Sequence, residues 1–560
     1  MARTISIGAQ NFEKMILNDC FYVDKTLFIK EWWESKDEVT LITRPRRFGK
    51  TLNMNMLERF WSIKYQGQGE IFENLNIWKE KSPDGDYKYR NLQGTYPVIF
   101  LSFAGVKEND YDMAVYHICG ILQDIYIQNY YLLDSGILTE GERVMFRKLS
   151  EHVSVQDAPM ALHRLSMYLE RYYGKKAIIL LDEYDTPMQE AYIHGYWEQI
   201  VSFTRVLFNN TFKTNPYLER AVMTGITRVS KESLFSDLNN LNVVTMTSNE
   251  YVSCFGFTEE EVFAAMDEFG MANRNEVKRW YDGFTIGYLH DIYNPWSIIC
   301  FLDKSQLNTY WANTSSNRLA GDLIRQGSED IKVQFEELLS GKTIQCRIDE
   351  EIVYNQLGRN EDAVWSLLLA SGYLKVVEIR GRIYELTLTN YETKQMFEGL
   401  VLDWFGEDSA SYNGFIRSLL QGGLKAMNVY INRVSKSMFS SFDGGNKPSE
   451  ETRPERFYHG FVLGLLVELE DRYVITSNRE SGFGRYDVLM EPKSNEYDGI
   501  ILEFKVHDPD QEMDLQQTVQ AALQQIEDRQ YAQTLLDHGI GHDHIRKYGF
   551  AFQGKKVLIG

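Results

Sequence analysis

The stretch LITRPRRFGKTLNM, Leu41 to Met54, closes like a phosphate-binding loop and opens unlike one. Gly49, Lys50 and Thr51 satisfy the end of the pattern G-x-x-x-x-G-K-[ST], while Arg44 stands in the slot of the first glycine, followed by Pro45, Arg46 and Arg47. Val39 to Thr43, just before it, reads as a buried strand, and TLNMNMLERFWSI, just after, reads as a helix. That context suits a bound triphosphate. Backbone N–H groups and a helix N-terminus face the phosphates, Lys50 reaches the β and γ positions, and Thr51 ligates magnesium.

Working outward, YPVIFLSFAG, KKAIILLDEYD and ERAVMTG are further apolar runs, each followed by helical sequence. Strands alternating with helices imply a parallel sheet covered on both faces. KKAIILLDEYD ends in Asp182 and Glu183. An acid at such a strand tip helps hold magnesium, and a neighbouring Glu polarises the attacking water. ERAVMTGITR puts Thr224, Thr227 and Arg228 at the edge where ligands of open parallel sheets gather. A γ-phosphate sensor and ordinary capping are both open for these three. Asp185 reads as structural.

The 560-residue chain needs two to four domains. Its net charge of −20 argues against indiscriminate coating of nucleic acid but permits a local basic groove. Five scattered cysteines without a C-x-x-C pair suit reduced thiols, and neither an h-region nor a run of 18 apolar residues occurs. The expectation is a cytoplasmic protein with no membrane partner. From about residue 231 to 400 the pattern turns mostly helical, with breaks such as YDGFTIGYLHDIYNPWS, and VVEIRGRIYELTLTN reads as a hairpin or wing turning at Gly381. SKSMFSSFDGGNKPSEETRPE, residues 435 to 455, is the clearest linker.

Beyond it, GRYDVLMEPKSNEYDGIILEFKV carries D-x15-E-x-K. Alternation puts Glu503 and Lys505 on one face of a strand with Ile501, and the interval allows Asp487 to return beside Glu503. Two acids and a lysine on adjacent strands suit one or two hard divalent cations, with Lys505 orienting the nucleophile. A solvated Glu–Lys surface pair is the bland alternative. Glu455, on a preceding helix, is a further candidate metal or water ligand, and Gln525 lies on a polar helix able to pack beside the site.

Residues of roughly 5 to 280 resemble the AAA-ATPase-like family of bacterial P-loop proteins, on the ordered motifs FYVDKT (Phe21 to Thr26), TRPRRFGKTL, LLDEYDTP, TGITRVSKESLFSDLNNL, FGFTEEEV, and WYDGF followed by YNPWS. The family's loop reads R-P-R-R-F-G-K-[ST], so the resemblance makes Arg44 the family's own form. It implies nucleotide contacts from Arg44, Arg46, Arg47, Phe48, Gly49, Lys50, Thr51 and Leu52. Asp24 and Lys25 of FYVDKT either sit near the base or stabilise the loop. Residues 405 to 560 resemble the PD-(D/E)XK nuclease fold usually fused to this family. By motif, Asp487, Glu503 and Lys505 match its catalytic trio and Gln525 its accessory glutamine, with GRYD in place of a literal P-D.

The expected architecture is α/β: an ATPase core over 1–235, a helical, winged-helix-like lid over 236–404, and a nuclease-like domain over 405–560. The expected function is an ATP-binding, ATP-hydrolysing protein coupled to a nuclease acting on DNA, using Mg2+ or Mn2+, in a homo-oligomer. A nucleotide-controlled switch whose nuclease-like domain only binds nucleic acid stays open as the alternative.

Overall fold

A computed structural model describes residues 2–82, 85–213, 215–228, 234–235, 238–311, 318–349, 354, 357, 360–404, 409–438, 462, 466, 469, 472–481, 484–494, 497–509, 511–553 and 556–560. The chain divides into two compact units, Met1–Leu323 with Thr343–Lys394, and Ile324–Lys342 with Gln395–Gly560. Among the described residues no helix is long and apolar enough to cross a membrane.

The first unit is built on strands β1 (Val39–Thr43), β2 (Val98–Ser102), β3 (Ala177–Asp182), β4 (Leu218–Gly225) and β5 (Leu241–Val244), ordered β2-β3-β4-β1-β5 and parallel throughout. β1 and β3 are buried along their whole length, as unbroken apolar runs in the middle of a covered sheet should be. Helices Tyr111–Gln128, Ala158–Tyr173 and Trp197–Phe208 supply apolar side chains to the core that receives Leu41, Leu101, Ile179 and Met223. The edge strand β5, the short LNVV, went unread in the sequence.

The mostly helical stretch also holds a second sheet. β6 (Phe257–Thr258), β7 (Phe284–Ile286) and β8 (Leu289–Tyr293) pair antiparallel in the order β6-β8-β7. The break sequence YDGFTIGYLHDIYN is therefore a hairpin turning at Gly287, whose φ of 54° lies in the left-handed region. β9 (Ile344–Arg347), β10 (Leu374–Arg380) and β11 (Ile383–Leu388) form the order β10-β11-β9, with the expected turn at Gly381. Seven of the ten residues of helix Glu361–Ala370 are buried, so it packs as a core element.

The second unit carries β12 (Tyr473–Ser481), β13 (Gly484–Pro492), β14 (Gly499–Val506), β15 (Ile545–Gln553) and β16 (Lys556–Ile559), in sequence order. Neighbours pair antiparallel except β14 with β15, which are parallel and connected through helix Leu515–Asp528. The C-terminal stretch forms a strand pair, β15 and β16. Helix Leu515–Asp528 comes close to the sheet at Gly549, where a Cβ would stand 2.8 Å from the Val519 carbonyl. Most of the expected linker and Glu455 lie outside the described residues.

Candidate functional site

The loop after β1 turns through two left-handed residues, Arg47 (φ 65°) and Gly49 (φ 85°), and Gly49 opens helix Lys50–Trp61. Glycine takes that conformation freely, whereas Arg47 holds it at a cost that its surroundings must cover. They do so by stacking: the Arg47 guanidinium lies 4.4 Å from the Trp296 ring. Phe48 is buried edge-on against Phe284 at 4.8 Å, and the Asn294 amide donates to the Arg46 carbonyl at 3.1 Å. WYDGF and YNPWS, through Phe284, Asn294 and Trp296, thus pack against the loop after β1.

Lys50 is buried and donates to the carbonyls of Arg44 and Pro45, at 2.9 Å each. Burial pulls its pKa down from the usual lysine range, against the nearby charges of Glu183, Asp182 and Asp185. The Thr51 hydroxyl donates to Asp182 Oδ2 at 2.7 Å, and the Thr224 hydroxyl to Asp182 Oδ1 at 2.5 Å. Asp182 is pushed up by burial, with those two hydroxyls opposing. A hydroxyl and a carboxylate in contact, beside a buried lysine, form an oxygen-rich donor set that fits magnesium and phosphate. Glu183 sits just past β3 with φ 50°, and the Thr186 hydroxyl donates to its Oε2 at 3.3 Å.

A cavity of about 480 Å³ opens here, within the size range of small-molecule sites. Arg46, Arg47, Phe48, Gly49, Lys50, Thr51 and Leu52 all line it, with Glu183. An apolar wall from Ala9, Phe21, Val23, Phe257 and Ile299 completes it, which suits a nucleotide's base.

Arg44 is absent from that lining. Its side chain is fully buried, and it donates from Nη1 to the carbonyls of Thr43 (2.9 Å) and Thr245 (2.8 Å) and from Nη2 to that of Glu250 (3.3 Å). Burial lowers its pKa to about 10. The residue in the first-glycine slot therefore ties the loop to the segment after β5, with its charge turned away from the cavity. Thr227 donates to Asp185, Thr224 to Asp182, and half-buried Arg228 likewise lies outside the lining. Lys25 pairs with Glu261 (2.7 Å) and the Ser253 carbonyl (2.8 Å), and Asp24 caps Thr26 and Asn76. Both stand just before helix Leu27–Ser35, and Lys25 also lines the cavity.

In the second unit the antiparallel register Val488↔Leu502 sets Asp487 beside the Glu503 end of β14. The Phe504 N–H donates to Asp487 Oδ2 at 2.8 Å. Glu503 is 2% exposed, and Gln525 donates its Nε2 to Glu503 Oε1. Lys505 is two residues on, half-buried and on the same strand face. Four of the five residues named for this site thus lie on two strands and one helix, and Glu455 lies outside the described residues. Tyr531 joins them unannounced by the sequence. It is buried within 3.5 Å of Gln525, and burial, then the charges of Glu503 and Asp487, push its phenol up. Its only signal was an aromatic six residues after Gln525. Among the described residues no group of three or more His, Cys, Asp or Glu forms a metal cluster. The two carboxylates remain a fitting oxygen pair for a hard cation that keeps waters.

Comparison with known families places residues 6–235 in a family described as a predicted AAA-ATPase and residues 453–560 in the PD-(D/E)XK nuclease superfamily. An "Uncharacterized protein in vnfD 5'region" of Azotobacter chroococcum mcd 1 is 25% identical over 553 residues, spanning 95% of this chain and 93% of that one.

Proposed function

We propose that this chain, an AAA-ATPase-like domain joined to a PD-(D/E)XK nuclease superfamily domain, binds and hydrolyses ATP at the first site and cuts DNA at the second. The observation that carries the reading is the gathering of Asp487, Glu503 and Gln525, with Lys505 on the same strand face, on a chain that also brings Lys50, Thr51 and Glu183 to one cavity, with Asp182 bonded to Thr51 behind them. Two phosphate-handling sites on one polypeptide call for a common purpose, and nucleotide control of cleavage supplies it.

At the first site Lys50 and the N-terminus of helix Lys50–Trp61 would hold the β and γ phosphates, Thr51 and Asp182 would hold magnesium, and Glu183 would orient the attacking water. At the second, Asp487 and Glu503 would hold magnesium or manganese and Lys505 would orient the water, while Gln525 fixes the Glu503 carboxylate. A divalent ion held there would supply a water of lowered pKa and would neutralise charge on the phosphodiester. The five free thiols suit a reducing compartment, so we place the protein in the cytoplasm.

The test is incubation of the full chain with single-stranded, linear and supercoiled DNA in magnesium or manganese, with and without ATP, beside Lys505→Ala and Lys50→Ala. Cleavage lost in the first variant and altered in the second supports the reading. No cleavage of any substrate, with both variants indistinguishable from wild type, overturns it in favour of a nucleotide-controlled binding module.

A further inference from the structure

Asp185 is fully buried and takes no part in the chemistry above. Its Oδ2 accepts from the N–H groups of Ile226 (3.0 Å) and Thr227 (2.9 Å), the Thr227 hydroxyl (2.9 Å), and Gln189 Nε2 (3.1 Å). That last bond fixes the Gln189 amide. An oxygen turned towards the carboxylate would repel it, so Nε2 must face Asp185 and Oε1 must face the other way. On that side Oε1 accepts from Arg46 Nη2 at 3.1 Å.

Three features decide what this chain of contacts is for. Arg46 and Gln189 line the same cavity as Lys50, Thr51 and Glu183. Thr186, Gln189 and Glu190 share one face of helix Thr186–His194 and all reach the cavity, and Thr186 is also the residue bonded to Glu183. Arg46 is thereby drawn to the side where the attacking-water carboxylate stands, which is the side of the terminal phosphate. Finally, the partner is a neutral amide. A carboxylate there would spend the guanidinium's charge, whereas Gln189 directs it and leaves it intact for an anion.

We propose that Gln189 is a positioning residue that aims Arg46 at the terminal phosphate, making Arg46 the group by which this site tells a triphosphate from a diphosphate. This rests on the nucleotide reading above. Asp185 anchors the arrangement, and Thr227, whose hydroxyl also meets the Tyr354 hydroxyl at 2.9 Å, extends the anchor into a buried aromatic group with Trp197 and Tyr192.

The experiment measures the affinity of the full chain for ADP and for a non-hydrolysable ATP analogue, in wild type, Arg46→Ala, Gln189→Leu and the double variant. Arg46→Ala is expected to weaken the triphosphate by about tenfold or more, the loss of a charge-assisted contact, with ADP held within about twofold. Gln189→Leu is expected to show the same selective loss at smaller size. The double variant should be no worse than Arg46→Ala, since Gln189 acts through Arg46. Equal weakening of ADP and triphosphate by Gln189→Leu, additive losses in the double variant, or an unchanged ratio in both single variants overturns the inference while the nucleotide reading stands. A wild-type chain that binds neither nucleotide overturns both. If Gln189→Leu lowers the melting temperature, Gln189→Asn, which keeps both amide groups on a shorter stem, gives the same comparison.

Discussion

Replacing Arg44 by alanine separates a structural staple from a phosphate contact. The wild-type side chain is fully buried, with well-made bonds to the Thr43 and Thr245 carbonyls at 2.9 and 2.8 Å and longer ones to Glu250 at 3.3 Å and Val244 at 3.5 Å. Hydrogen bonds from a charged donor contribute about 1.5–3 kcal/mol each, so the two short ones are worth roughly 3–6 kcal/mol before the cost of burying the cation. That cost is several kcal/mol, so the intact arrangement is close to balanced. Alanine changes the balance, because it strands two buried carbonyls and opens a cavity. The expected loss is about 3–5 kcal/mol. Arg44→Met, which refills the volume, should lose less. The assay is urea unfolding followed by tryptophan fluorescence. Of the ten tryptophans all but Trp404 lie in the first unit, so the signal reports on it. Nucleotide affinity is measured in parallel, well below the transition. Unchanged stability with lost nucleotide binding would refute the reasoning and return Arg44 to the phosphates.

Asp282 is raised to about 7 by burial and by the neighbouring Asp291. An acid whose folded pKa lies above its unfolded value stabilises the fold at low pH and loses that contribution as pH rises from about 4 to about 7. Asp282→Asn should therefore come closest to wild type near pH 4 and exceed it at pH 8 by about 1–2 kcal/mol, discounted because Asp291 is half-exposed; parallel urea curves at both pH values contradict this. Gly283, at φ 125°, would carry a Cβ 2.0 Å from the Thr389 carbonyl. Gly283→Ala should cost more than about 3 kcal/mol, read as lost soluble yield or a collapsed melting temperature. Gln525→Ala frees the Glu503 carboxylate and should weaken manganese binding about 10–100-fold at an unchanged melting temperature, measured by titration calorimetry; equal affinity would remove Gln525 from the site.

The parallel sheet was legible because its central strands are buried on both faces and so read as unbroken apolar runs. β5 was not, because three of the four residues of Leu241–Val244 are only half-buried at the sheet edge. The β7–β8 hairpin hid behind two glycines that read as helix breaks, although FTI and LHDIY flank a two-residue turn. Lys50, Thr51, Asp182 and Glu183 were found together because strand–loop–helix geometry ties their spacing to their place. Arg44 shows the limit of that reasoning. A long side chain's direction depends on which carbonyls lie within reach, and those of Thr245 and Glu250 come from some 200 residues away in sequence. Tyr531 was missed for the same reason: its place at Glu503 follows from how one helix meets the sheet.

The tip of β4 has a mechanical consequence. The Gly225 carbonyl accepts from Arg44 N at 3.1 Å, and the Thr224 carbonyl from Tyr184 N at 2.9 Å, so one strand end grips both the phosphate loop and the acidic turn. A Cβ on Gly225 would stand 2.6 Å from the Tyr184 ring, which leaves no slack between them. β4 is thus a shared spacer that sets the distance between the loop and the acidic turn. The walls of the cavity outside this grip are the segment around Ala9 and helix Pro295–Lys304 with its Trp296 on Arg47. A side chain at position 225 would therefore be felt by the phosphate loop and the acidic turn at once.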